Sequence, residues 1–95
     1  MSTPKQPGPL TTCIHAGNRK NDVYGAIATP IYLTSNYRLP TDGTPVDWSG
    51  IETNIYMRNG NPNQFVLQDK LCAIEGAEDC VTLASGVAAL SATFV

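Results

Sequence analysis

The chain contains the sequence Cys80-Val81-Thr82-Leu83-Ala84-Ser85-Gly86-Val87-Ala88-Ala89, which joins an apolar segment to a helix through a serine and a glycine. Residues 80–83 are nearly continuous in apolar character, which is typical of a central strand covered on both faces. Ser85 is a favoured N-cap residue. The small apolar residues after Gly86 predict a helix that continues to Val95. A buried strand followed by a helix indicates an α/β fold.

The Ser85-Gly86 turn has the features of an anion-binding site. The N–H groups in the first turn of a helix have no intrahelical acceptor and carry a partial positive charge. Gly86 lets the backbone approach an anion closely, and the Ser85 hydroxyl can donate another hydrogen bond. The same two residues are also typical of an ordinary helix start without a ligand. Neither a Walker loop nor a dinucleotide fingerprint is present, because the residues that define them are missing.

A second helix is predicted upstream of this stretch. Asn61 is a favoured N-cap, and Pro62 follows it at the first helical position, where the missing N–H of proline costs nothing. Gly76 stands where a left-handed residue would close the helix. Between them, apolar residues recur on one predicted helix face: Phe65, Val66, Leu67, Leu71 and Ile74.

A tyrosine and an arginine stand two positions apart before this helix. Ile55 to Arg58 is β-prone and ends at the turn Asn59-Gly60. In an extended segment, Tyr56 and Arg58 point to the same face, with Cα atoms roughly 6.5–7 Å apart. A phenol and a guanidinium at that spacing can hold one phosphate from two sides. The alternative is a half-exposed tyrosine beside a solvated arginine on an edge strand.

Residues 1–54 differ in composition from residues 55–95. Six of the seven prolines and five of the eight glycines precede Ile51. Proline fixes φ and pushes the preceding residue toward extended geometry, so residues 1–54 are predicted to be an extended arm with a turn cluster at 41–45. We expect the arm to cover its large apolar side chains by lying across a neighbouring surface, in this chain or in another copy. These side chains are Ile27, Ile31, Tyr32, Leu33, Tyr37 and Trp48.

Composition and charge exclude several classes of protein. The 95 residues carry a formal net charge of −2 with six scattered lysines and arginines, so no basic face for nucleic acid can be built. The longest apolar stretch is too short for a membrane span, and the N-terminus lacks the apolar region of a secretory signal. We therefore expect a cytoplasmic protein.

The cysteines and lysines carry weaker signals. The three cysteines follow no Cys-x-x-Cys pattern, so no disulfide framework is expected, and Cys72 and Cys80 are predicted to be small buried hydrophobic residues. Cys13 and His15 are a candidate metal pair, but a tetrahedral zinc site needs three or four ligands and the sequence contains one histidine. Lys70 is predicted to be solvated on a charged helix face.

Five separated motifs stand in one order along the chain. They are Thr12-Cys13-Ile14-His15-Ala16-Gly17; Gly25-Ala26 with Pro30-Ile31-Tyr32-x-Thr34-Ser35; Ile55-Tyr56-Met57-Arg58-x-x-Asn61-Pro62; Leu71 to Glu75-Gly76-Ala77-Glu78; and Ala84-Ser85-Gly86-Val87-Ala88-Ala89. In order and spacing they resemble the opening of the pyridoxal-phosphate-dependent enzymes of Cys/Met metabolism. That family includes cystathionine γ-synthase, cystathionine lyases, methionine γ-lyase and the homoserine-ester sulfhydrylases.

The resemblance implies that pyridoxal 5′-phosphate is the cofactor and that this chain holds its phosphate at two places. Tyr56 and Arg58 match the family's Tyr-x-Arg pair, which binds the cofactor phosphate of a neighbouring subunit. Ser85, Gly86 and Val87 match the turn that binds the phosphate of its own subunit through backbone N–H groups. No catalytic residue is predicted in this chain.

The resemblance also implies an assembly and a reaction class. The expected assembly is a homotetramer in which the arm, residues 1–54, crosses to a neighbouring subunit. Residues 55–95 would begin the large domain, of the type I aminotransferase-like fold. The expected reactions are the β- or γ-eliminations and γ-replacements of transsulfuration, carried out by lyases and transferases on sulfur amino acids or homoserine esters.

The sequence departs from the family pattern at three positions. Asn63 stands where the family often has threonine, Ala77 replaces a second glycine, and Ala84 replaces a first serine. The family supplies its Schiff-base lysine, pyridinium-pairing aspartate and ring-stacking tyrosine later in the chain. The lysines of this sequence match none of these positions: Lys5, Lys20 and Lys70.

The predicted strand at 80–83 has no partner of its kind, and the last helix has no stop signal before Val95. We therefore expect the sequence to be the opening part of a larger α/β protein. Two alternatives remain open: a truncated chain that only associates with full-length subunits, and a binding module for another phosphorylated ligand at Ser85-Gly86. The sequence beyond Val95 would distinguish them.

Overall fold

The structure is a computed structural model that describes residues 6–18, 23–46, 48, 55–58 and 60–95. Within these ranges it contains three helices: α1 (Pro9–His15), α2 (Pro62–Glu75) and α3 (Gly86–Phe94). The chain divides into two compact units, Met1–Asn18 with Leu67–Val95 and Arg19–Val66. This division does not follow the boundary drawn after residue 54, and the organisation into an arm and a domain stays a prediction.

Helix α2 begins where the sequence predicts. The Asn61 Oδ1 atom accepts a hydrogen bond of 2.8 Å from the Asn63 N–H, which satisfies one of the donors left free in a first helical turn. Pro62 is the first helical residue. The Asn61 carbonyl then accepts the Phe65 N–H at 3.1 Å, so the regular helical pattern starts at once. The predicted cap is confirmed.

The predicted end of α2 is also confirmed. Gly76 has a φ of 65°, the left-handed conformation that favours glycine. The Ala77 N–H donates to the Cys72 carbonyl at 3.0 Å. This bond, which spans the glycine, is the Schellman closure of a helix.

Helix α1 lies in a segment that the sequence predicts to be extended, and the structure differs there over Pro9–His15. Pro9 is the first helical residue, a position that proline favours because its missing N–H is not needed. The Thr12 N–H and hydroxyl both donate to the Gly8 carbonyl at 3.0 Å. Proline therefore starts a helix here instead of extending the chain.

Lys70 closes the other end of α1. Its Nζ donates hydrogen bonds to the carbonyls of Cys13 at 2.9 Å and Ile14 at 3.1 Å. These carbonyls belong to the last helical turn, which has no internal donors, and a cation is favoured at that negative end. The prediction of a solvated lysine is wrong: Lys70 is half-buried and bonded.

Residues 80–83 do not form the predicted strand. The Thr82 N–H and hydroxyl donate to the Gln68 side-chain carbonyl, each at 3.1 Å, and Val81 is 74% exposed. A strand needs a neighbour to complete its hydrogen bonds, and no segment in the part of the chain that the structure describes supplies one here. The prediction of a buried central strand is therefore wrong for this structure, and the α/β class stays a prediction.

The unit Arg19–Val66 is mostly irregular in its described residues. An isolated antiparallel bridge joins Asn36 to Tyr56. The Met57 N–H donates to the Ser35 carbonyl at 2.8 Å beside it. The predicted turn cluster is confirmed, because the backbone bends over residues 41–43 and Gly43 has a φ of 85°.

Asp42 organises that turn. Its carboxylate accepts hydrogen bonds from the Thr44 N–H, at 3.0 Å, and from the Thr44 hydroxyl. Such Asx turns let a side chain replace a backbone acceptor. The hydroxyl bond first, and then the backbone bond, lower the pKa of Asp42 below its ordinary value of 3.8.

The buried side chains of the described residues are Phe65 and Val66, each 8% exposed. A Cβ added at Gly60 would overlap the Phe65 ring, so this glycine is needed for close packing. The remaining residues of the predicted apolar face of α2 are 38–48% exposed: Leu67, Leu71 and Ile74. The predicted face is buried only at the start of the helix.

The cysteines are less buried than predicted. Cys13 is exposed, while Cys72 and Cys80 are half-buried and unoxidised. Over the ranges that the structure describes, no group of three or more His, Cys, Asp or Glu side chains could hold a metal ion. Within the same ranges, no helix combines the length and apolar character that a membrane crossing requires.

Candidate functional site

Residues 55–58, here called the Tyr-Arg loop, bring together the first pair of predicted site residues. Tyr56 lies at the bridge to Asn36, and a turn follows at once over Met57 and Arg58. The Gly60 N–H donates back to the Tyr56 carbonyl at 3.2 Å. The prediction of an extended segment therefore holds only as far as Tyr56.

The turn still places the two side chains next to each other. The Arg58 guanidinium carbon lies 5.2 Å from the centre of the Tyr56 ring, within the range of a cation–π contact. The juxtaposition predicted from sequence is thus found, but stacking across a turn produces it instead of the alternation of a strand.

The Tyr-Arg loop presents donors that remain available to a ligand. Arg58 is exposed, and no carboxylate within the described residues pairs with its guanidinium. Tyr56 is 38% exposed, and its hydroxyl has no hydrogen-bond partner in those ranges. Stacking uses only the face of the guanidinium, so its N–H edge can still bind an oxyanion in bidentate fashion.

Two asparagine side chains attach the chain just after this loop to residues 30–32. The Asn63 side chain donates to the Pro30 carbonyl at 2.7 Å and accepts the Tyr32 N–H at 2.7 Å. Asn61 donates from Nδ2 to the Tyr32 carbonyl at 3.1 Å. We call these three bonds the asparagine clamp. They tie the start of α2 to a segment that has no regular secondary structure of its own.

The asparagine clamp is the feature beside the candidate site that the sequence does not predict. Asn61 was identifiable as a cap, and Asn63 only as a departure from a threonine pattern. A signal was present, however. Residues 31–33 follow Pro30, lie outside any helix and need partners for their backbone groups. An Asn-x-Asn pair at a helix start supplies both a donor and an acceptor for such a segment.

A groove borders the Tyr-Arg loop on the side of residues 32–35. Its volume is about 320 Å³. The lining includes three hydroxyl side chains and the amide of Asn61, together with apolar groups: Tyr32, Leu33, Thr34, Ser35, Met57 and Asn61. A larger cavity, of about 410 Å³, lies between α1 and Ala73 in the other unit and contains none of the predicted site residues.

Residues 84–87, here called the Ser-Gly turn, form the second predicted site. Ser85 is extended, with φ −154° and ψ 160°, and its Oγ accepts the Ala88 N–H at 3.1 Å. Its carbonyl accepts the Ala89 N–H at 3.1 Å. The N-cap predicted from sequence is therefore confirmed.

The Ser-Gly turn has unpaired backbone donors beside open space. Ser85 satisfies the Ala88 donor, whereas the N–H groups of Gly86 and Val87 meet no acceptor in the described parts of the chain. A Cβ added at Gly86 would meet no atom within 4 Å, so the space beside this backbone is open. Free N–H groups at the positive end of a helix, next to open space, are what a phosphate dianion requires.

Comparison with known proteins identifies the family of the chain. The profile of the family described as "Cys/Met metabolism PLP-dependent enzyme" matches residues 10–95. A canavanine gamma-lyase from Rhizobium leguminosarum bv. trifolii is 46% identical over 84 residues, which make up 88% of this chain and 21% of that protein. An L-methionine gamma-lyase from Fusobacterium nucleatum subsp. nucleatum is 40% identical over 91 residues, or 94% of this chain and 23% of that protein.

A solved structure also resembles this chain in its fold. The crystal structure of cystathionine gamma-lyase from yeast matches with a TM-score of 0.62 and 29% sequence identity, over 82% of this chain and 18% of that one. The chain spans about a fifth of the length of the curated relatives it matches. Its fold is that of a corresponding part of the yeast enzyme. Since the family profile covers residues 10–95, the chain belongs to the pyridoxal-phosphate-dependent enzymes of Cys/Met metabolism, and the family predicted from the motifs is confirmed.

Proposed function

We propose that the protein carrying this chain is a pyridoxal-phosphate-dependent lyase that eliminates a group from the γ-carbon of an amino acid. The observation that carries the proposal is the exposed Arg58 guanidinium, stacked on Tyr56 and without a carboxylate partner in the described residues. Relatives named canavanine and methionine gamma-lyases support γ-elimination among the reactions of the family. The broader expectation also includes β-elimination and the γ-replacement of a transferase.

The residues of this chain bind and orient the cofactor. When bound, pyridoxal phosphate withdraws electrons from the amino-acid substrate. This permits bonds to break at the substrate carbons that follow the amino group. Arg58 would hold the phosphate through charge-assisted hydrogen bonds, and Tyr56 would add one from its hydroxyl. The asparagine clamp keeps the start of α2 attached to residues 30–32 and thereby limits the movement of the loop that precedes it.

The Ser-Gly turn would hold a phosphate in a different manner. Its donors are the backbone N–H groups of Gly86 and Val87, whose direction is set by α3. Because Ser85 caps Ala88, it leaves these two groups for the ligand. The fixed orientation of backbone donors would define where the cofactor ring lies for the reacting groups of the enzyme.

We further propose that the two sites act on different cofactors in a homotetramer, located in the cytoplasm. The Tyr-Arg loop would bind the phosphate of a neighbouring subunit, brought there by the arm of residues 1–54. The Ser-Gly turn would bind the phosphate of its own subunit. Each complete active site would then need two chains.

Two other functions compete with this proposal. A chain that only associates with full-length subunits would change their assembly without binding cofactor of its own. A module for another phosphorylated ligand would bind inorganic phosphate and pyridoxal phosphate with similar strength. A preference for pyridoxal phosphate over inorganic phosphate by the complete protein would argue against both.

The main test is the substitution Arg58→Ala in the complete protein. Hydrogen bonds to charged groups contribute about 1.5–3 kcal/mol, so the affinity for pyridoxal phosphate should fall about 10- to 150-fold. Titration of the apoenzyme, followed by the absorbance of the bound cofactor, measures this. Arg58→Lys should restore only part of the affinity, because a point charge cannot reproduce the guanidinium fork.

Arg38 provides the matched control, since it is an exposed arginine in the same unit. Arg38→Ala should leave the cofactor affinity unchanged. Equal losses in the two variants would show that the effect is general electrostatics, and an unchanged Arg58→Ala variant would remove the proposed role.

Mixed oligomers test whether Arg58 acts across the subunit boundary. One subunit type carries Arg58→Ala and the other lacks the cofactor-binding lysine. If Arg58 serves its neighbour, some sites in the mixture receive both intact groups and activity returns. A mixture as inactive as its parents would contradict the exchange between subunits.

A further inference from the structure

Two of the three cysteines lie on neighbouring segments of one unit, in a place that the proposed cofactor chemistry does not use. Cys72 lies near the end of α2, and Cys80 follows the turn that Gly76 closes. Both side chains are half-buried, and both are free thiols. The third, Cys13, is exposed on α1.

Hydrogen bonds fix the register between α2 and the segment that contains Cys80. The Thr82 N–H and hydroxyl both donate to Gln68 Oε1. Gln68 and Cys72 are four positions apart and share one face of the helix, about 6 Å apart along its axis. Cys80 and Thr82 are separated by two residues of a non-helical segment, which covers about 6–7 Å when extended. With Thr82 opposite Gln68, Cys80 lies opposite Cys72.

Desolvation and Cys80 both affect the pKa of the Cys72 thiol. Desolvation is the largest cause that raises the pKa of Cys72. The negative charges of an ionised Cys80, of Asp79 and of Asp69 also raise this pKa, and so does a side-chain hydrogen bond with Cys80. These effects require Cys80 to lie near Cys72, in agreement with the register that the Gln68–Thr82 hydrogen bonds set. Disulfide formation then requires closing the gap to the bond length of about 2.05 Å.

We propose that Cys72 and Cys80 are a redox-sensitive dithiol, which a peroxide or a low-molecular-weight disulfide converts into an intrachain disulfide. With hydrogen peroxide, one thiolate attacks an oxygen atom and becomes a sulfenic acid as water leaves. The other thiol then displaces a second water, so that both protons and both electrons pass to the peroxide. With a disulfide such as oxidised glutathione, two exchange steps release two molecules of the reduced thiol.

The surroundings allow this bond without unfolding α2. The residues between the cysteines already turn back on themselves, because Gly76 is left-handed and the Ala77 N–H bonds to the Cys72 carbonyl. The residues after Cys80 lie outside any helix or strand as far as Ser85. They can therefore shift toward α2. An oxidised pair would anchor the segment that leads into the Ser-Gly turn.

The test uses the complete holoenzyme and cleavage after glutamate. Glu75 and Glu78 lie between the two cysteines, so cleavage separates Cys72 from Cys80 unless a disulfide joins the pieces. The folded enzyme is treated with hydrogen peroxide or oxidised glutathione, its remaining thiols are alkylated, and the fragments are identified by mass spectrometry. We expect a linked fragment pair that dithiothreitol separates.

Serine variants provide the matched controls. Cys72→Ser and Cys80→Ser should each reduce the linked pair to background, whereas Cys13→Ser should leave it unchanged. Separate fragments after oxidation of the folded wild-type enzyme would overturn the proposal, and so would a link that forms only in denaturant. A link between heavy- and light-labelled chains would show an intermolecular bond and overturn it as well.

Discussion

The Tyr-Arg loop and the Ser-Gly turn, the two proposed phosphate sites, present different kinds of donor, and different contacts hold them in place. The turn is held by bonds from Ser85 to residues three and four positions away. The loop lies between the bridge to Asn36 and the asparagine clamp, whose bonds join residues 29 to 33 positions apart. The turn presents backbone N–H groups, and the loop presents side chains.

Because of this difference, side-chain substitutions should affect the two regions differently. A side-chain substitution removes the donors of the loop outright, as Arg58→Ala would. No side-chain substitution removes the N–H groups of Gly86 and Val87, short of proline. A substitution can obstruct the Ser-Gly turn or weaken its cap. In the Tyr-Arg loop, a substitution can remove the donor groups and leave the backbone in place. Sensitivity to distant contacts should also be confined to the loop.

The largest effect is expected when the 95 residues are expressed alone. Only Phe65 and Val66 are buried among the large side chains of the described residues, and many others are exposed. Such a chain lacks the core that a stable small domain requires and exposes surface that promotes association. We expect no cooperative thermal transition and elution as aggregate in gel filtration. A sharp monomer peak together with a cooperative transition would contradict this.

Two glycine substitutions should distinguish packing from ligand binding in the complete protein. Gly60→Ala places a methyl group into the Phe65 ring and should destabilise by about 1–3 kcal/mol, as overpacking typically does. Gly86→Ala meets no atom within 4 Å and should leave the stability of the apoprotein unchanged or slightly higher. Denaturant unfolding measures both.

Cofactor titration completes the glycine test. The new methyl group of Gly86→Ala would lie where the phosphate approaches, so this variant should bind pyridoxal phosphate more weakly despite its normal stability. If the Gly86→Ala apoprotein were destabilised as much as the Gly60→Ala apoprotein, Gly86 would serve packing instead of ligand binding.

A pair of alanine variants should show how far each region depends on distant residues. Asn63→Ala removes two side-chain bonds to the backbone of residues 30–32, at about 0.5–1.5 kcal/mol each. Ser85→Ala removes a cap worth about 0.5–2 kcal/mol. Hydrogen exchange should report faster opening at residues 30–36 and in the Tyr-Arg loop for Asn63→Ala. For Ser85→Ala the change should stay within the first turn of α3.

Ser91→Ala is the control for the cap, since Ser91 lies inside α3 and alanine is the better helix former. It should leave stability unchanged or slightly improved. Faster exchange in the Tyr-Arg loop of Ser85→Ala would contradict the local character of the turn.

The smallest effect concerns Asp42 and follows from its lowered pKa. Because the folded pKa lies below the unfolded value of about 3.9, the hydrogen bonds of Asp42 contribute stability above that pH. The contribution is lost as the pH falls through the folded pKa. An NMR titration of the Asp42 carboxyl carbon should give a midpoint below 3.8. Thr44→Val should raise it, while Thr41→Val should not, and identical midpoints would sink the assignment.

The features that sequence predicts well are those decided by neighbouring residues. Asn61 and Ser85 cap their helices, and Gly76 ends α2, because each acts on groups within five residues of itself. The family follows from motifs that are likewise local. These features place the proposed phosphate donors along the sequence, and they do not depend on tertiary packing.

The features that sequence does not predict depend on partners far along the chain. The charge of Lys70 predicts exposure to solvent. In the structure, its Nζ instead donates hydrogen bonds to two carbonyl groups 56 and 57 positions away. Residues 80–83 have the composition of a strand, yet a strand forms only when another segment pairs with it. The stacking of Arg58 on Tyr56 arises from a turn that composition alone does not indicate.

The two hydrogen bonds between Lys70 and α1 also bear on the order in which parts of the chain become structured. Helix α1 has seven residues, too few to persist in water by itself, because nucleation is costly and each end leaves groups unsatisfied. The Cys13 and Ile14 carbonyls at its end accept hydrogen bonds from a lysine 57 and 56 positions further on, and Ile14 also accepts one from Asn18. During synthesis, α1 therefore emerges long before its stabilising partner. We therefore expect α1 to become stable only after α2 has formed.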